Sequence, residues 1–404
     1  MSSRILSTPE SKGWQPPASS LTGKKQDASN LVGQEFRGLP NRALITLVIT
    51  FCCFGLMAVF SASAPEALQS FQDSTAFLRK QAIACAIGFF CMFTLSKYDY
   101  RKLKKFAWPL AIVSLVLLAL TLSSKFSVTT MGSSRWIPLG PIQFQPSELA
   151  KVATIILMAS GVSKYFWWHR NVFLRIIVVV LMAGIVVKQP DLGTAMMILG
   201  TLLSMLYVSG TNSLLILSAM GIGGALAWHQ VQKTPYQMAR IQSWLHPELN
   251  PQREGWNIIQ AQLAIGSGGL WGQGFGHSLQ KLYYLPVQHA DFIFAVIAEE
   301  FGLFGCLAIV SLFGLFGYYG FQTALQARTL FGRFLAIGIT SQICLQAVVN
   351  ISVCTGLLPV TGITLPFISY GGTSMVMTLA MVGILLSISR DRGQVDEDET
   401  YEVR

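Results

Sequence analysis

Charged residues are scarce in this sequence. They make up 12% of its 404 residues, whereas soluble domains carry about 25%. Hydrophobic residues account for 52%, and the mean hydropathy is +0.51. Because the deficit of charge runs along most of the chain, it excludes an ordinary soluble domain and predicts a protein that crosses a membrane several times.

The chain also lacks any clustered pattern of cysteine. Its seven cysteines lie in apolar surroundings without the spacing of a metal site, so we interpret them as small buried hydrophobic residues. No pair falls in a predicted exterior loop, which argues against a disulfide framework. We expect no cleavable signal peptide, because the polar first 42 residues are too long and too mixed in composition to begin one.

Ten apolar spans are present instead, each near the ~20 residues that a helix needs to cross a ~30 Å hydrocarbon core. They cover roughly residues 43–63, 80–96, 106–123, 147–165, 171–189, 191–209, 212–230, 300–321, 331–356 and 372–389. The sequence therefore predicts an all-α polytopic membrane protein with ten transmembrane helices. Pro190 and its charged neighbours predict a tight turn, rather than one long helix, between the fifth and sixth spans.

Basic residues indicate the orientation. The net charge of +10 is concentrated in short loops such as 97–105 and 164–175, which is typical of membrane orientation and does not indicate a nucleic-acid partner. If the helices alternate, these loops share one side, and the positive-inside rule makes that side cytoplasmic, with both termini inside. A large extracytoplasmic loop, 231–290, then lies between helices 7 and 8.

The ends of the chain differ from its centre. Residues 1–42 are rich in Ser, Pro, Gly, Lys and Gln, and this composition predicts a disordered cytoplasmic tail. Residues 43–390 form the predicted membrane domain. Residues 391–404 form a predicted acidic cytoplasmic tail.

Three carboxylates lie close together in the sequence where the large loop meets a long apolar helix. Asp291 is either a functional group at the membrane surface, such as a general base, or the N-cap of that helix. Glu299 and Glu300 follow, and helical geometry directs them away from Asp291. At least one of the two is expected to face the bundle interior or the membrane interface.

Other charged residues share the predicted outer side. Glu148 and Lys151, three residues apart, predict a neutralised pair on one helical face. Arg135 and Asp191 lie in neighbouring outer loops, and cations there suit an anionic diphosphate. The alternatives are a structural ion pair between helices and side chains that extend to the membrane interface.

Two further stretches of the outer loops are distinctive. Arg240 lies in an amphipathic segment, Tyr236–Pro247, that predicts a helix on the membrane surface. The stretch 356–374, which contains Ser369, is uncharged and rich in Gly and Pro. Irregular backbone this close to lipid needs protein or a water-filled cavity around it, so this stretch is predicted to form the wall of a groove.

Several blocks of sequence occur in the order and spacing of a known family. The blocks are Ser134-Arg135-Trp136-Ile137-Pro138-Leu139-Gly140 with Gln145-Pro146-Ser147-Glu148-Leu149-Ala150-Lys151, Gln189-Pro190-Asp191-Leu192-Gly193-Thr194-Ala195, Tyr284-Leu285-Pro286 with His289-Ala290-Asp291-Phe292, and Asn350 with Gly356-Leu357-Leu358-Pro359 and Leu365-Pro366-Phe367-Ile368-Ser369-Tyr370-Gly371-Gly372. Over about residues 40–390 the chain resembles the SEDS family (shape, elongation, division and sporulation). It is most similar to the division branch of the family, with the elongation branch as the alternative.

The resemblance implies a membrane peptidoglycan glycosyltransferase in the bacterial cytoplasmic membrane. Such an enzyme polymerises lipid II into glycan strands at the outer face, beside a class B penicillin-binding protein and, at the division septum, other divisome membrane proteins. The family's essential aspartate corresponds to Asp291, and its implied role is that of general base. Cations or a divalent metal, Mg²⁺ or Mn²⁺, would stabilise the leaving diphosphate. The substrate-binding residues expected from the blocks and loops are Arg135, Glu148, Lys151, Asp191, Arg240, His289 and Ser369.

The chain departs from the family pattern beside this aspartate. Ala290 stands where the family usually has threonine, and Tyr283 and Val287 stand where acidic residues are expected. Two other classes of function remain open, a lipid II flippase and a non-catalytic scaffold. No inverted repeat is visible in the sequence, which disfavours a transporter.

Overall fold

The computed structural model describes residues 39–123, 128–130, 133–139, 142–249, 255–278 and 290–391. Most of these residues are helical. The α-helices are α1 (Arg42–Phe71), α2 (Ala76–Lys97), α3 (Ala107–Leu120), α4 (Pro146–Val162), α5 (Arg170–Lys188), α6 (Leu192–Val208), α7 (Ser213–Lys233), α8 (Pro235–Leu245), α9 (Trp256–Gly268), α10 (Ile293–Leu325), α11 (Leu330–Cys354) and α12 (Gly372–Arg390). Short 3-10 helices cover Tyr100–Phe106 and Pro247–Leu249, and three strands are β1 (Val128–Thr130), β2 (Ser133–Leu139) and β3 (Ile142–Phe144). The predicted tails fall almost wholly outside the described residues.

Eight helical segments in the described chain are long and apolar enough to cross a membrane. They are α1, α2, the segment Tyr100–Leu120 that ends with α3, α5, α7, α10, α11 and α12. Helix α6 is also apolar but has only 17 residues. Helix α4, with 17 residues as well, occupies the predicted fourth span and carries Glu148 and Lys151. The helices agree with the prediction of a polytopic, mainly helical membrane protein.

The prediction of an all-α protein is wrong between α3 and α4. There β2 pairs antiparallel with β1 on one side and with β3 on the other. Ile137 lies opposite Phe144 and Leu139 opposite Ile142. A connection at the edge of a membrane domain must satisfy its own backbone polar groups, and pairing these short strands does so.

Helix α10 begins earlier and ends later than the predicted span 300–321. It contains one break, at Gly302, where the backbone has φ 66° and ψ −163°. The segment after α9 lies along this break and supplies backbone hydrogen bonds, from Gln273 N to Glu299 O (2.9 Å) and from Leu303 N to Gly269 O (2.9 Å). The break is therefore paired with a second piece of main chain, which satisfies backbone groups that the helix itself leaves open.

Gly302→Ala is expected to destabilise the protein by about 1–3 kcal/mol, because a left-handed backbone strains an L-residue. A Cβ at this position would also lie 2.4 Å from Gly272 N, where no atom fits. Gly314→Ala in the same helix is the control, since a Cβ there meets nothing within 4 Å. Thermal unfolding in detergent should separate the two variants, and equal midpoints would contradict this account of the break.

The buried centre of the bundle is formed by α4, α11 and α12, which are buried along most of their length. Helix α7 is the opposite case. Val231 is the one buried residue in its 21. This helix is therefore exposed over most of its surface, and it leaves space beside α6 and α8.

Two helices occupy the predicted large outer loop. The amphipathic helix expected near Arg240 is present as α8, and α9 follows it. Helix α9 packs against α10. The large loop therefore contains structure of its own where it is described.

Candidate functional site

The loop between α11 and α12, residues 355–371, is the element on which the candidate site is built. Phe367 has φ 65° in this loop, a left-handed conformation that costs free energy for a residue other than glycine. Its ring is buried against Phe51 (centroids 5.4 Å apart) and Phe316 (5.8 Å). Tight packing from α1 and α10 thus holds the loop in an unfavourable conformation.

Asp291 lies beside this loop, two residues before Ile293, where α10 begins. The cap residue of α10 is Phe292, so the interpretation of Asp291 as the N-cap is wrong by one position. The side chain amide of Asn350, on α11, donates to Asp291 O (2.9 Å) and to Ile363 O of the loop (2.7 Å). A Cβ built on Gly362, whose φ is +74°, would lie 3.7 Å from Asp291 Oδ2. Asp291 is half-buried, and its carboxylate therefore faces the loop.

Ser369 ties the loop to the residue before Asp291. Its hydroxyl donates to Ala290 O (2.6 Å) and accepts from Leu365 N (2.8 Å). Ala290 itself carries no hydroxyl, and Ser369 supplies one to its main chain instead. The predicted site residue Ser369 thus positions the backbone next to Asp291.

The predicted pair on α4 is present and fully buried. Lys151 Nζ lies 2.9 Å from Glu148 Oε1 and donates to Gln346 Oε1 at 2.9 Å. Gln346 in turn donates to Thr364 O of the loop (3.0 Å). The second oxygen of Glu148, Oε2, is buried and makes no hydrogen bond among the described residues. A buried polar atom without a partner is rare in proteins, which makes Glu148 a candidate acceptor for a substrate group.

Arg135, in the connection between α3 and α4, interacts with Asp191, in the connection between α5 and α6. Arg135 Nη1 lies 3.5 Å from Asp191 Oδ2, and Arg135 also donates to the main-chain oxygens of Gln189 and Pro190. Asp191 caps α6, because its carboxylate accepts from Thr194 N at 3.0 Å. Both predicted residues therefore hold the turn between α5 and α6 in place.

Arg240 contacts the loop from α8. Its Nη1 donates to Val360 O at 3.0 Å, and Trp244 Nε1, one turn later, donates to Gly356 O at 2.8 Å. The guanidinium also lies 4.6 Å from the centre of the Tyr236 ring, in a cation–π arrangement. The amphipathic helix is thus attached to the start of the loop at two points.

A cavity of about 250 Å³ lies next to Arg240, between α6, α7, α8 and the loop. Its lining is mainly apolar and includes Met196, Trp228 and Ile241. Gln237 and Thr361 supply polar groups. Both side-chain amide atoms of Gln237 and the hydroxyl of Thr361 are buried without a hydrogen-bond partner among the described residues. A cavity of this composition suits an amphiphilic ligand.

Glu299 and Glu300 are both buried, as expected for at least one of them. Ser278 Oγ donates to Glu299 Oε2 (2.5 Å), and Ser61 Oγ of α1 donates to Glu300 Oε1 (2.5 Å). These contacts lie near the break in α10. The two glutamates therefore belong to the packing of α10 and not to the site at Asp291.

Two other predictions concern His289 and a metal ion. His289 lies outside the described residues. Within the described ranges, no group of three His, Cys, Asp or Glu side chains is arranged to hold a metal ion.

The comparison with known proteins agrees with this architecture. The model of the family described as "Cell cycle protein", which covers FtsW, RodA and SpoVE, matches residues 41–394.

The chain belongs to this family.

Two relatives match over most of their length. Similarity to the probable peptidoglycan glycosyltransferase FtsW of Trichlorobacter lovleyi extends over 350 residues at 39% identity, covering 86% of this chain and 92% of the relative. The stage V sporulation protein E of Bacillus subtilis is 39% identical over 357 residues, covering 87% of this chain and 97% of the relative.

Solved structures of the family have the same fold. One, described as the structural coordination of polymerization and crosslinking by a peptidoglycan synthase complex, superimposes with a TM-score of 0.73 at 30% identity and covers 88% of this chain and 99% of its own. The rod shape determining protein RodA of Thermus thermophilus gives a TM-score of 0.66 at 30% identity, covering 88% and 98%.

Several site residues were missed from the sequence. Asn350 and Gln237 enter the sequence predictions only as members of longer segments, and Gln81 and Gln346 do not enter them. All four are buried polar side chains in helices. An amide within an apolar run is the available signal, because such a group is costly to bury without a partner.

Proposed function

We propose that the chain is a peptidoglycan glycosyltransferase that polymerises lipid II into glycan strands at the outer face of the cytoplasmic membrane. The observation that carries the proposal is the match, at 39% identity over 350 residues, to a relative named as a probable peptidoglycan glycosyltransferase. The half-buried carboxylate of Asp291, which lies beside the loop, supports the proposal.

In the proposed reaction Asp291 is the general base. It removes the proton of the 4-hydroxyl of the acceptor sugar, and that oxygen attacks the anomeric carbon of the donor. A new C–O bond forms there, the bond from the anomeric carbon to the diphosphate oxygen breaks, and undecaprenyl diphosphate leaves. The half-buried carboxylate and its tethered main chain support this role, because a base works best in a fixed position.

Arg240 is the cation best placed to bind the leaving diphosphate. Lys151 is buried and paired with Glu148, and Arg135 interacts with Asp191. Arg240 instead lines the apolar cavity. We assign that cavity to the first part of the lipid chain, with the diphosphate at Arg240 and Gln237 in the cavity wall.

Gln237→Leu tests this assignment. Loss of two buried, unpartnered amide atoms should leave the free protein as stable as the wild type or more stable by about 1 kcal/mol, while the KM for lipid II rises several-fold. Gln242→Leu, an exposed position on the same helix, serves as the control and should change neither property. An unchanged KM for Gln237→Leu would remove the cavity from the substrate site.

We propose a membrane topology with ten spans. These are the eight long apolar segments together with α4 and α6, and both termini then lie in the cytoplasm. The loop 231–290, with α8 and α9, then lies outside between the seventh and eighth spans. The proposed partner is a class B penicillin-binding protein transpeptidase, and the proposed location is the division septum with other divisome proteins. The synthase complex with a similar fold supports such a partner.

The deciding experiment uses the purified full chain with lipid II, alone and with a class B penicillin-binding protein. The expected product is glycan polymer resolved on a gel. If no polymer forms but fluorescent lipid II crosses the bilayer of liposomes that contain the protein, the flippase function replaces the proposal. Complementation of division-defective against elongation-defective cells separates septal synthesis from elongation.

A further inference from the structure

Gln81 is a buried polar residue that the proposed reaction does not use. It lies in the apolar helix α2 with no exposed surface. An amide in such a place is costly unless both of its ends are hydrogen-bonded. What it bonds to therefore indicates why it is there.

Both ends of this amide bind the loop, on either side of Tyr370. Gln81 Nε2 donates to Ser369 O (3.0 Å), and Gln81 Oε1 accepts from Gly371 N (3.2 Å). A carbonyl can only accept and a backbone N–H can only donate, so the two partners fix the orientation of the amide. One turn earlier on α2, the ring of Phe77 meets the Tyr370 ring edge-on, with centroids 5.2 Å apart.

The same segment of loop is bonded to the main chain next to Asp291. Ser369, whose carbonyl Gln81 holds, donates its hydroxyl to Ala290 O (2.6 Å). Two residues earlier, Phe367 holds its left-handed conformation. A strained segment relaxes unless its surroundings fix it, and Gln81 fixes it from the side of α2.

We infer that Gln81 is a positioning residue of the glycosyltransferase site, which sets the place of Asp291 through Ser369 and Ala290. This inference rests on the proposed function. The amide touches neither substrate nor the reacting atoms. Its effect should therefore appear in kcat, which depends on the placement of the base, more than in KM.

The first test replaces Gln81 with methionine, which is similar in length and cannot bond to the loop. The polymerisation of lipid II by the full chain, with its partner, should lose about 10- to 100-fold in kcat, since small displacements of a catalytic group have effects of this size. The KM should stay within about twofold. Thr94→Val is the control on the same helix, because among the described residues the Thr94 hydroxyl bonds only to Phe90 O of its own helix.

The second test, Gln81→Glu, keeps the inference testable if the methionine variant folds poorly. A protonated glutamic acid has the shape of glutamine and can donate to Ser369 O while it accepts from Gly371 N. Once ionised, the glutamate side chain has only acceptor atoms, so it cannot donate to the carbonyl oxygen of Ser369 that it faces. Relative to the wild type, the activity of Gln81→Glu should therefore be near normal at low pH and fall as the pH rises between about 5 and 9, the range over which buried glutamates titrate. Burial raises the pKa of the Tyr370 phenol above its usual value, so Tyr370 stays neutral in this range.

The outcomes separate the inference from the function on which it rests. A fall in kcat for Gln81→Met together with the pH-dependent loss in Gln81→Glu supports the inference. If the wild type polymerises lipid II and both variants match it at every pH, the inference is overturned and the proposed function stands. If the wild type makes no polymer under any condition, the proposed function fails and the inference fails with it.

Discussion

Asp291→Asn should reduce the rate of lipid II polymerisation by at least ~100-fold, the effect typical of losing a general base. The amide has nearly the shape of the carboxylate but cannot take the proton of the acceptor hydroxyl. The tether from Asn350 reaches the main-chain oxygen of Asp291, so the substitution leaves it in place. The thermal unfolding midpoint should therefore remain close to that of the wild type.

Asp73→Asn is the matched control for Asp291. Asp73 lies in the connection between α1 and α2, on the outer side in the proposed topology, where it pairs with the exposed Arg79. Its loss should not change the polymerisation rate. Retention of more than about a third of the wild-type rate by Asp291→Asn would show that another group takes the proton, since even modest general-base catalysis exceeds that factor.

Lys151→Met should produce the largest loss of stability. It leaves the carboxylate of Glu148 buried without its cation, and breaking a buried ion pair in this way costs about 3–5 kcal/mol. Glu148 Oε2 already lacks a partner among the described residues, and Gln346 Oε1 would lose the hydrogen bond from Lys151. The thermal unfolding midpoint in detergent, followed by circular dichroism, measures the effect.

A double variant distinguishes loss of the pair from loss of lysine packing. Glu148→Gln combined with Lys151→Met removes both charges, and its unfolding midpoint should lie well above that of Lys151→Met alone. Arg79→Met, which breaks the exposed pair with Asp73, should cost less than about 1 kcal/mol. If the double variant is no more stable than the single one, the buried charge of Glu148 is not the cause.

The positions of the helices could be predicted because apolar length alone determines where a chain can cross a membrane. The predicted spans 331–356 and 372–389 lie within two residues of α11 and α12 at each end. The same reasoning from apolar length predicts a wrong helix boundary where charged residues lie inside the helix. The predicted span starts at Glu300, the second of two adjacent glutamates, whereas α10 begins at Ile293 and buries both.

The candidate site could be predicted less completely. The ion pair of Glu148 with Lys151 was predictable because residues three apart on a helix share a face. The pairing of Arg135 with Asp191 could not be predicted, because it depends on how two separate connections meet in the fold. The cap of α10 at Phe292 could not be predicted either, because it differs from the expected cap by a single backbone position. The paired strands before α4 were not predicted, because the length of an apolar span gives no information about short strands in the connections between spans.

The hydroxyl partners of Glu299 and Glu300 have a consequence for how the protein is made. A charged carboxylate within a membrane helix is costly to insert into lipid. Ser61 and Ser278 both precede α10 in the chain and are synthesised before it. Each carboxyl group can therefore meet its hydroxyl as α10 enters the bilayer, so the order of synthesis favours insertion of α10 against segments that are already present rather than into bare lipid.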